Sequence, residues 1–323
     1  MTRLALALVI CVGGFFASQA YAYNCPLPPE VVRNINTRAV YVDKEGSIED
    51  PSREAKNKRI REPITDFQNN IERIADEYYQ DRSPEKLECA RSYIEKWATE
   101  RALLDGKVSG QGELVRFWTA GAVGVAMLKL GLNEKNSPAS VREWFQSLGE
   151  EIEEYVDQRE VKNNLYYWSG YSLGVVGRVL NNQSYQKKSH EIFLLALDSI
   201  QPDGTLPIEL RRGRKASAYH AFAAQAIFGL ALINNADFQE LDKGSFGKLV
   251  DLLQTITGDP GYLAAKAGAQ QRHIAKQQWL PVYERLVATK GVFPKADNSH
   301  CGQIPYLGGN LCNFASLHSA ISR

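Results

Sequence analysis

The chain has 323 residues, with 38 Lys and Arg against 37 Asp and Glu, and 44% of its residues are hydrophobic. That is the profile of a soluble globular protein, long enough for one large domain or two modest ones. A formal net charge of +1 excludes bulk electrostatic attachment to nucleic acid, so an anionic partner has to be met by local clusters of charge.

Met1-Thr2-Arg3 is a short basic start, and residues 4–17 form an apolar run shorter than the ~20 residues a bilayer span needs. Ala20-Tyr21-Ala22 then places small residues where a signal peptidase reads them. Residues 1–22 are therefore expected to be a signal peptide cut after Ala22. Residues 23–323 would remain as a single domain, a periplasmic or secreted monomer free of the membrane, and no later segment reads as long and apolar enough to span one. Cys11 leaves with the leader, so the mature chain keeps Cys25, Cys89, Cys301 and Cys312, an even number suited to an oxidising compartment. Of the three connectivities, Cys25–Cys89 with Cys301–Cys312 is preferred, because each bridge then ties down a terminal segment. The spacing of these cysteines and of the histidines matches no zinc motif, and no metal is expected.

From Pro51 onward apolar residues recur three and four apart, the helical period, and few segments alternate as strands do. Ile64, Phe67, Ile71, Ile74 and Tyr78 form one stripe. Ser83-Pro84-Glu85 opens a second helix, with a capping hydroxyl and a proline in the first turn, running through Trp97 to Leu104. Residues 113–130 give a more apolar helix whose Ala120, Gly121, Ala122 and Gly124 permit a neighbour to approach closely. Further helices follow at 140–157, 163–180, 184–200, 215–233 and 245–256, joined by short polar connections. Residues 43–52 read as a polar loop, and 290–313 as a Gly- and Pro-rich loop region pinned by a disulfide. Such an all-α succession of paired helices predicts an (α/α) toroid or incomplete α/α barrel, with a cleft among the inner helix ends.

Two stretches carry the chemistry. In 162–170, Asn163, Asn164, Tyr166, Tyr167 and Trp168 interrupt an amphipathic helix, and the helical period puts Asn164, Tyr167, Trp168 and Tyr171 on one side. Rings that stack on pyranose faces and amides that meet hydroxyls or carboxylates are the equipment of a sugar groove, although aromatic stripes are more often core. In 202–222, Arg211, Arg212, Arg214 and Lys215 place four cations within five residues, just before Ala218-Tyr219-His220-Ala221-Phe222. A charge run is usually a solvated face, and a histidine on an apolar helix is usually a bonded core residue. The two stretches are expected to face each other across one groove.

Together they resemble the alginate lyases that act on poly(β-D-mannuronate), polysaccharide lyase family 5. The family pattern Asn-Asn-His-x-Tyr-Trp is similar to Asn163-Asn164-Leu165-Tyr166-Tyr167-Trp168. Its Asn-Glu-Leu, basic residues and Ala-x-Tyr-His-Asn-Tyr are similar to Ile208-Glu209-Leu210-Arg211-Arg212 and the run ending in Phe222. Leu87-Glu88-Cys89, Trp97, Leu307-Gly308-Gly309-Asn310 and a lid-like Lys44-Glu45-Gly46-Ser47 extend the likeness over most of the mature chain.

The resemblance implies a helical toroid, a periplasmic location and β-elimination on an acidic polysaccharide, a polyuronate, with no cofactor. That reaction needs cations or amides on the uronate carboxylate, a base for the C5 proton and an acid for the departing O4. Asn164, Lys215 and Arg214 are assigned to the carboxylate and Lys44 to a lid over the sugar, with Asn163, Tyr166, Tyr167, Trp168 and Arg211 lining the groove. The family's catalytic histidine falls on Leu165 and its tyrosine on Phe222, its arginine on Lys215 and an asparagine on Ala221. One reading keeps a lyase in which Tyr219, Tyr166 or Tyr167 and His220 exchange protons instead. A second is a non-catalytic polyuronate-binding relative. A third is an inverting glycosidase using Asp203 and Glu209.

Overall fold

Gly121 and Gly124 let two apolar helices meet almost backbone to backbone. A Cβ on Gly121 would lie 2.7 Å from Ser172 Oγ, and one on Gly124 would lie 2.4 Å from a Val175 methyl. The computed structural model describes residues 23–44, 46–293 and 301–321. The expected leader and its cleavage site lie outside them, as does Glu45 of the lid-like motif.

Helix α1 (Pro51–Asp81) starts at the Asp50 carboxylate, which caps the N–H groups of Ser52 and Arg53. Then come α2 (Pro84–Thr99), α3 (Gly112–Lys129), α4 (Ala139–Gln158), α5 (Asn164–Val179) and α6 (Gln183–Asp198). The short α7 (Pro207–Leu210) and a 3-10 turn at Gly213–Lys215 lead into α8 (Ala216–Ile233), followed by α9 (Phe238–Lys243) and α10 (Ser245–Gly258). Next are α11 (Ala264–Ala267), α12 (Leu280–Ala288) and α13 (Leu311–Ile321). Two minimal sheets accompany them, a parallel pair β1 (Ile35–Asn36) with β2 (Val108–Ser109) and an antiparallel pair β3 (Gln303–Ile304) with β4 (Gly309–Asn310).

Helix α5 packs on α3 and α8, and α3 packs in turn on α1; α2, α4, α6 and α10 back this inner row from outside. The result is the expected α/α toroid. One contiguous core runs from Ile35 to Ala315 and includes the stacked rings of Phe67 and Trp97, 3.8 Å apart. The expected helix spans hold to within a few residues, except that α2 stops at Thr99 rather than Leu104. Residues 101–104 leave the helix there, with positive φ at Arg101 and Leu103. The stretch 213–233, contrary to expectation, is long and apolar enough to cross a membrane. Here it forms the 3-10 turn and α8, an inner helix whose apolar surface is covered by protein on almost every side.

Both expected disulfides, Cys25–Cys89 and Cys301–Cys312, are present. The second closes a strap rather than a plain loop. Within 290–313, the described part contains β3, β4 and the start of α13. Gly308 and Gly309 adopt φ of 78° and 92°, and a Cβ on Gly309 would lie 2.6 Å from Asp76 Oδ2. Glycine is required there both by conformation and by space.

The strap docks on buried charge. Lys129, fully buried, donates to Asp76 Oδ1 and to the Gly308 carbonyl, each at 2.6 Å, while Asp76 Oδ2 accepts the Asn310 N–H at 2.9 Å. Gln68 bridges Glu72 and the Pro305 carbonyl. Burial pushes the Glu72 carboxyl up to about 8, more than the Gln68 bond and the Lys129 charge pull it down. The native state therefore holds a proton that the unfolded chain has released, and stability falls as pH rises from the ordinary carboxylate range through about 8. Glu72→Gln keeps an acceptor for Gln68 and should raise the unfolding free energy at pH 8 by about 1–3 kcal/mol. It should also flatten the decline between pH 5 and 8, as measured by urea denaturation across that range.

Candidate active site

A cavity of about 1030 Å³ opens where α1, α3, the start of α5 and the start of α8 converge, covered by the loop 41–50 and by Tyr306 of the strap. Only the first turn of α5 reaches it. Asn163, Asn164 and Leu165 line the wall, whereas Tyr166, Tyr167 and Trp168 do not. This corrects the expectation of a sugar platform along the side of the helix. Tyr167 and Trp168 are buried among α5's neighbours, and the Tyr167 hydroxyl, bonded by Ser199, is pushed up to about 12 by burial. Tyr166 lies under the Lys162 ammonium, 4.0 Å from its ring centroid. The cavity's rings come from elsewhere: Trp118 stacks on Tyr306 at 4.9 Å, and Tyr41, Tyr219 and Phe222 complete the aromatic lining. Sequence reading missed Trp118 and Tyr306, which lie outside the two polar stretches.

Asn163 caps α5 by accepting the Leu165 N–H. Asn164 is clamped by Glu209, whose Oε1 accepts the Asn164 N–H at 2.7 Å and whose Oε2 accepts Nδ2 at 2.9 Å. A carboxylate only accepts, so the amide orientation follows. The buried Asn164 Oδ1 is left without a partner among the described residues. Burial raises the Glu209 carboxyl, and the two Asn164 donors pull it part of the way back. The amide keeps its second Nδ2 hydrogen, the kind of donor expected for a uronate carboxylate, whereas Oδ1 is shut off from the surface.

The four cations separate. Arg211 is exposed and outside the cavity wall. The Arg212 guanidinium lies 3.8 Å from the Tyr219 ring centroid and lines the cavity. Arg214 does not line it, and instead donates to the Ser47 carbonyl at 3.2 and 3.3 Å, tying down the loop. Lys215, nearly buried, pairs with Glu49 and approaches Tyr41 Oη to 3.4 Å. Lys44 sits on the loop, exposed and outside the wall. The loop carries its own fastening, since Asp43 accepts the N–H groups of Ser47 and Ile48 and the Ser47 hydroxyl. Although desolvation opposes it, these bonds hold the Asp43 carboxyl near about 2.

Tyr219 is the candidate proton-exchanging residue that the structure brings into the cavity, and its hydroxyl bonds Tyr41 Oη at 3.0 Å. Burial first, and then this bond, raises the Tyr219 phenol far above its ordinary value, so it keeps its proton. His220, by contrast, is fully buried and outside the cavity wall. Its Nε2 accepts the Leu206 N–H at 2.9 Å and Nδ1 faces the Ala216 carbonyl at 2.8 Å, which fixes a neutral ring with both nitrogens occupied. It is a structural residue and not the expected base. Asp203 pairs with Lys266 and Glu209 with Asn164, and neither lines the cavity, so the expected glycosidase carboxylate pair is not assembled. Leu165 and Phe222 do line it, the two residues on which the resemblance places the family's histidine and tyrosine.

Fold and cavity define an α/α toroid protein with its site at the inner helix ends. The alginate lyase family model matches residues 34–261. A polysaccharide lyase of Stenotrophomonas maltophilia (strain K279a) is 28% identical over 310 residues, covering 93% of each chain. An alginate lyase of Azotobacter vinelandii is 24% identical over 280 residues, covering 80% of this chain and 75% of the relative. Among solved structures, a variant of alginate lyase A1-III complexed with tetrasaccharide superposes with a TM-score of 0.73 at 16% identity, covering 92% of this chain and 86% of that one. The chain belongs to the alginate lyase family.

Two outcomes test the site. His220→Ala leaves the Leu206 N–H unpaired in the core and should cost about 1–3 kcal/mol in a denaturant titration. Because burial lowers the imidazole pKa, the unfolded chain binds a proton that the native ring refuses, so stability falls as pH drops below the ordinary 6.5; the variant should soften that loss. Glu49→Gln weakens the Lys215 contact and should speed limited proteolysis within residues 41–50 several-fold, with little change in melting temperature.

Proposed function

We propose that the protein binds a uronate-containing polysaccharide in this cavity and cleaves it by β-elimination. The observation that carries the reading is the cluster of Tyr219, Tyr41, Lys215 and Arg212 at the cavity wall, two phenols in hydrogen-bond contact beside two cations. In the elimination a base removes the C5 proton, the C4–O4 bond breaks as the C4–C5 double bond forms, and O4 leaves with a proton. Lys215 and Arg212 face the carboxylate, stabilising the charge that builds there once C5 is deprotonated. Tyr219, which retains its proton, serves the departing O4. Tyr41 serves C5: in its ionised form it takes the C5 proton and is left a neutral phenol, with the Lys215 ammonium beside its oxygen, while the Tyr219 proton goes to O4. Tyr219 lies three residues before Phe222 on the same face of α8, so the phenol is displaced along the helix by about 4.5 Å from the family position. The expected leader and the two disulfides support a periplasmic or secreted site of action.

A second reading, binding without turnover, draws on Leu165 and Phe222, which put apolar surface where the family carries proton-exchanging groups. Incubation with mannuronan, glucuronan and related polymers, followed by the ultraviolet absorbance of the unsaturated uronate, separates the two. Elimination should appear and should fall about 10²-fold or more in Tyr219→Phe. Binding with no chromophore from any polymer would instead establish the second reading, and an unchanged rate in Tyr219→Phe would remove that residue from the mechanism.

A further inference from the structure

We infer that the preferred substrate is a heteropolymer in which each uronate is separated from the next by a neutral sugar such as an N-acetylated hexosamine. This rests on the proposal that the cavity receives a uronate-containing chain, and it specifies how densely that chain is charged.

The first observation is the charge on the wall. Lys215 is matched by Glu49, and Arg61 by Glu54. Lys58 and Arg212 also line the cavity, and Glu62 and Asp66 stand against them, none of these four being ion-paired among the described residues. The lining therefore carries as many carboxylates as cations. A groove that accepts a run of adjacent uronates has to present an excess of cations, since like charges brought together across an interface cost several kcal/mol. Here Lys215 and Arg212 lie against the Tyr41 and Tyr219 pair, at the junction of loop and α8, which provides for one carboxylate. On α1, Glu62 and Asp66 are a turn apart on one exposed face, so they place two negative charges along the mouth of the same cavity.

The second observation is independent of the first. Asn164 lines the cavity, and Glu209 takes its backbone N–H and one of its two Nδ2 hydrogens, while the buried Oδ1 has almost no surface for a ligand to reach. What the amide keeps for a ligand is the second Nδ2 hydrogen, an uncharged donor that meets a hydroxyl or an acetamido oxygen as well as a carboxylate. Acid-rich mouth and neutral amide therefore fit the same chain, one sparse in charge.

The mature protein is tested by comparing mannuronan and glucuronan with a polymer alternating glucuronate and N-acetylglucosamine, each at equal uronate concentration, for binding by calorimetry and for unsaturated products. The alternating polymer should bind about tenfold or more tightly at low salt. Glu62→Gln combined with Asp66→Asn, both on the exposed face of α1, should narrow that gap by strengthening the homopolymers. Equal or tighter binding of a homopolymer, or a gap unmoved by the double variant, would overturn the charge-spacing inference while leaving uronate recognition intact. Neither binding nor product with any of the three polymers would bring down the uronate reading and this inference with it.

Discussion

The close approach of α3 to α5 decides what the rest of the molecule can do. With Gly121 and Gly124 opposed to Ser172 and Val175, α5 is enclosed by helices along most of its length. Its polar and aromatic residues are then divided by depth rather than by helical face. The first turn meets the cavity, and everything beyond it becomes core. The tyrosines and the tryptophan of that helix spend their rings on packing, with Trp168 set edge-on to Tyr171 and against Phe222. Their contribution to a ligand is indirect, through the position they impose on Phe222 and Tyr306.

The same logic of depth sorts the basic run. A 3-10 turn at Gly213–Lys215, entered with φ of 54° at Gly213, interrupts the chain between α7 and α8. Neighbouring cations therefore leave the backbone in different directions. One lies on a phenol ring, one fastens the loop, one enters the cavity beside Tyr41, and one remains in solvent. Treating the run as a single patch averages over four separate environments.

Fold class was legible from the sequence because inner and outer helices keep the 3.6-residue period, and because Ser83-Pro84 and Asp50-Pro51 mark helix starts by local chemistry. The disulfide pairing was legible for a similar reason, each bridge fastening a segment that few helices cover. The site was only partly legible. Asn164, Lys215 and Tyr219 were found through the motifs that carry them. Tyr41, Arg212, Trp118 and Tyr306 form the cavity through contacts between residues as far apart as 178 positions, as in the Tyr41 and Tyr219 pair, and no local pattern reports such contacts. His220 misled because a side chain that satisfies two backbone groups looks, in sequence, identical to one poised for chemistry. Only the partners of its two nitrogens tell the cases apart.

The cavity has two covers of different kinds. Tyr306 belongs to a strap closed covalently by Cys301–Cys312 and anchored on Lys129 and Asp76, so its conformational freedom is lost when the protein folds. The loop 41–50 is held on its outer side by the side chains of Arg214 and Lys215 and by its own Asp43 turn. A ligand entering past the strap meets a wall already ordered and bears none of that entropy. One entering past the loop has to exchange contacts that the loop has already made. The pocket is thus rigid on one side and negotiable on the other, and the non-covalent side is the one that can yield to a ligand.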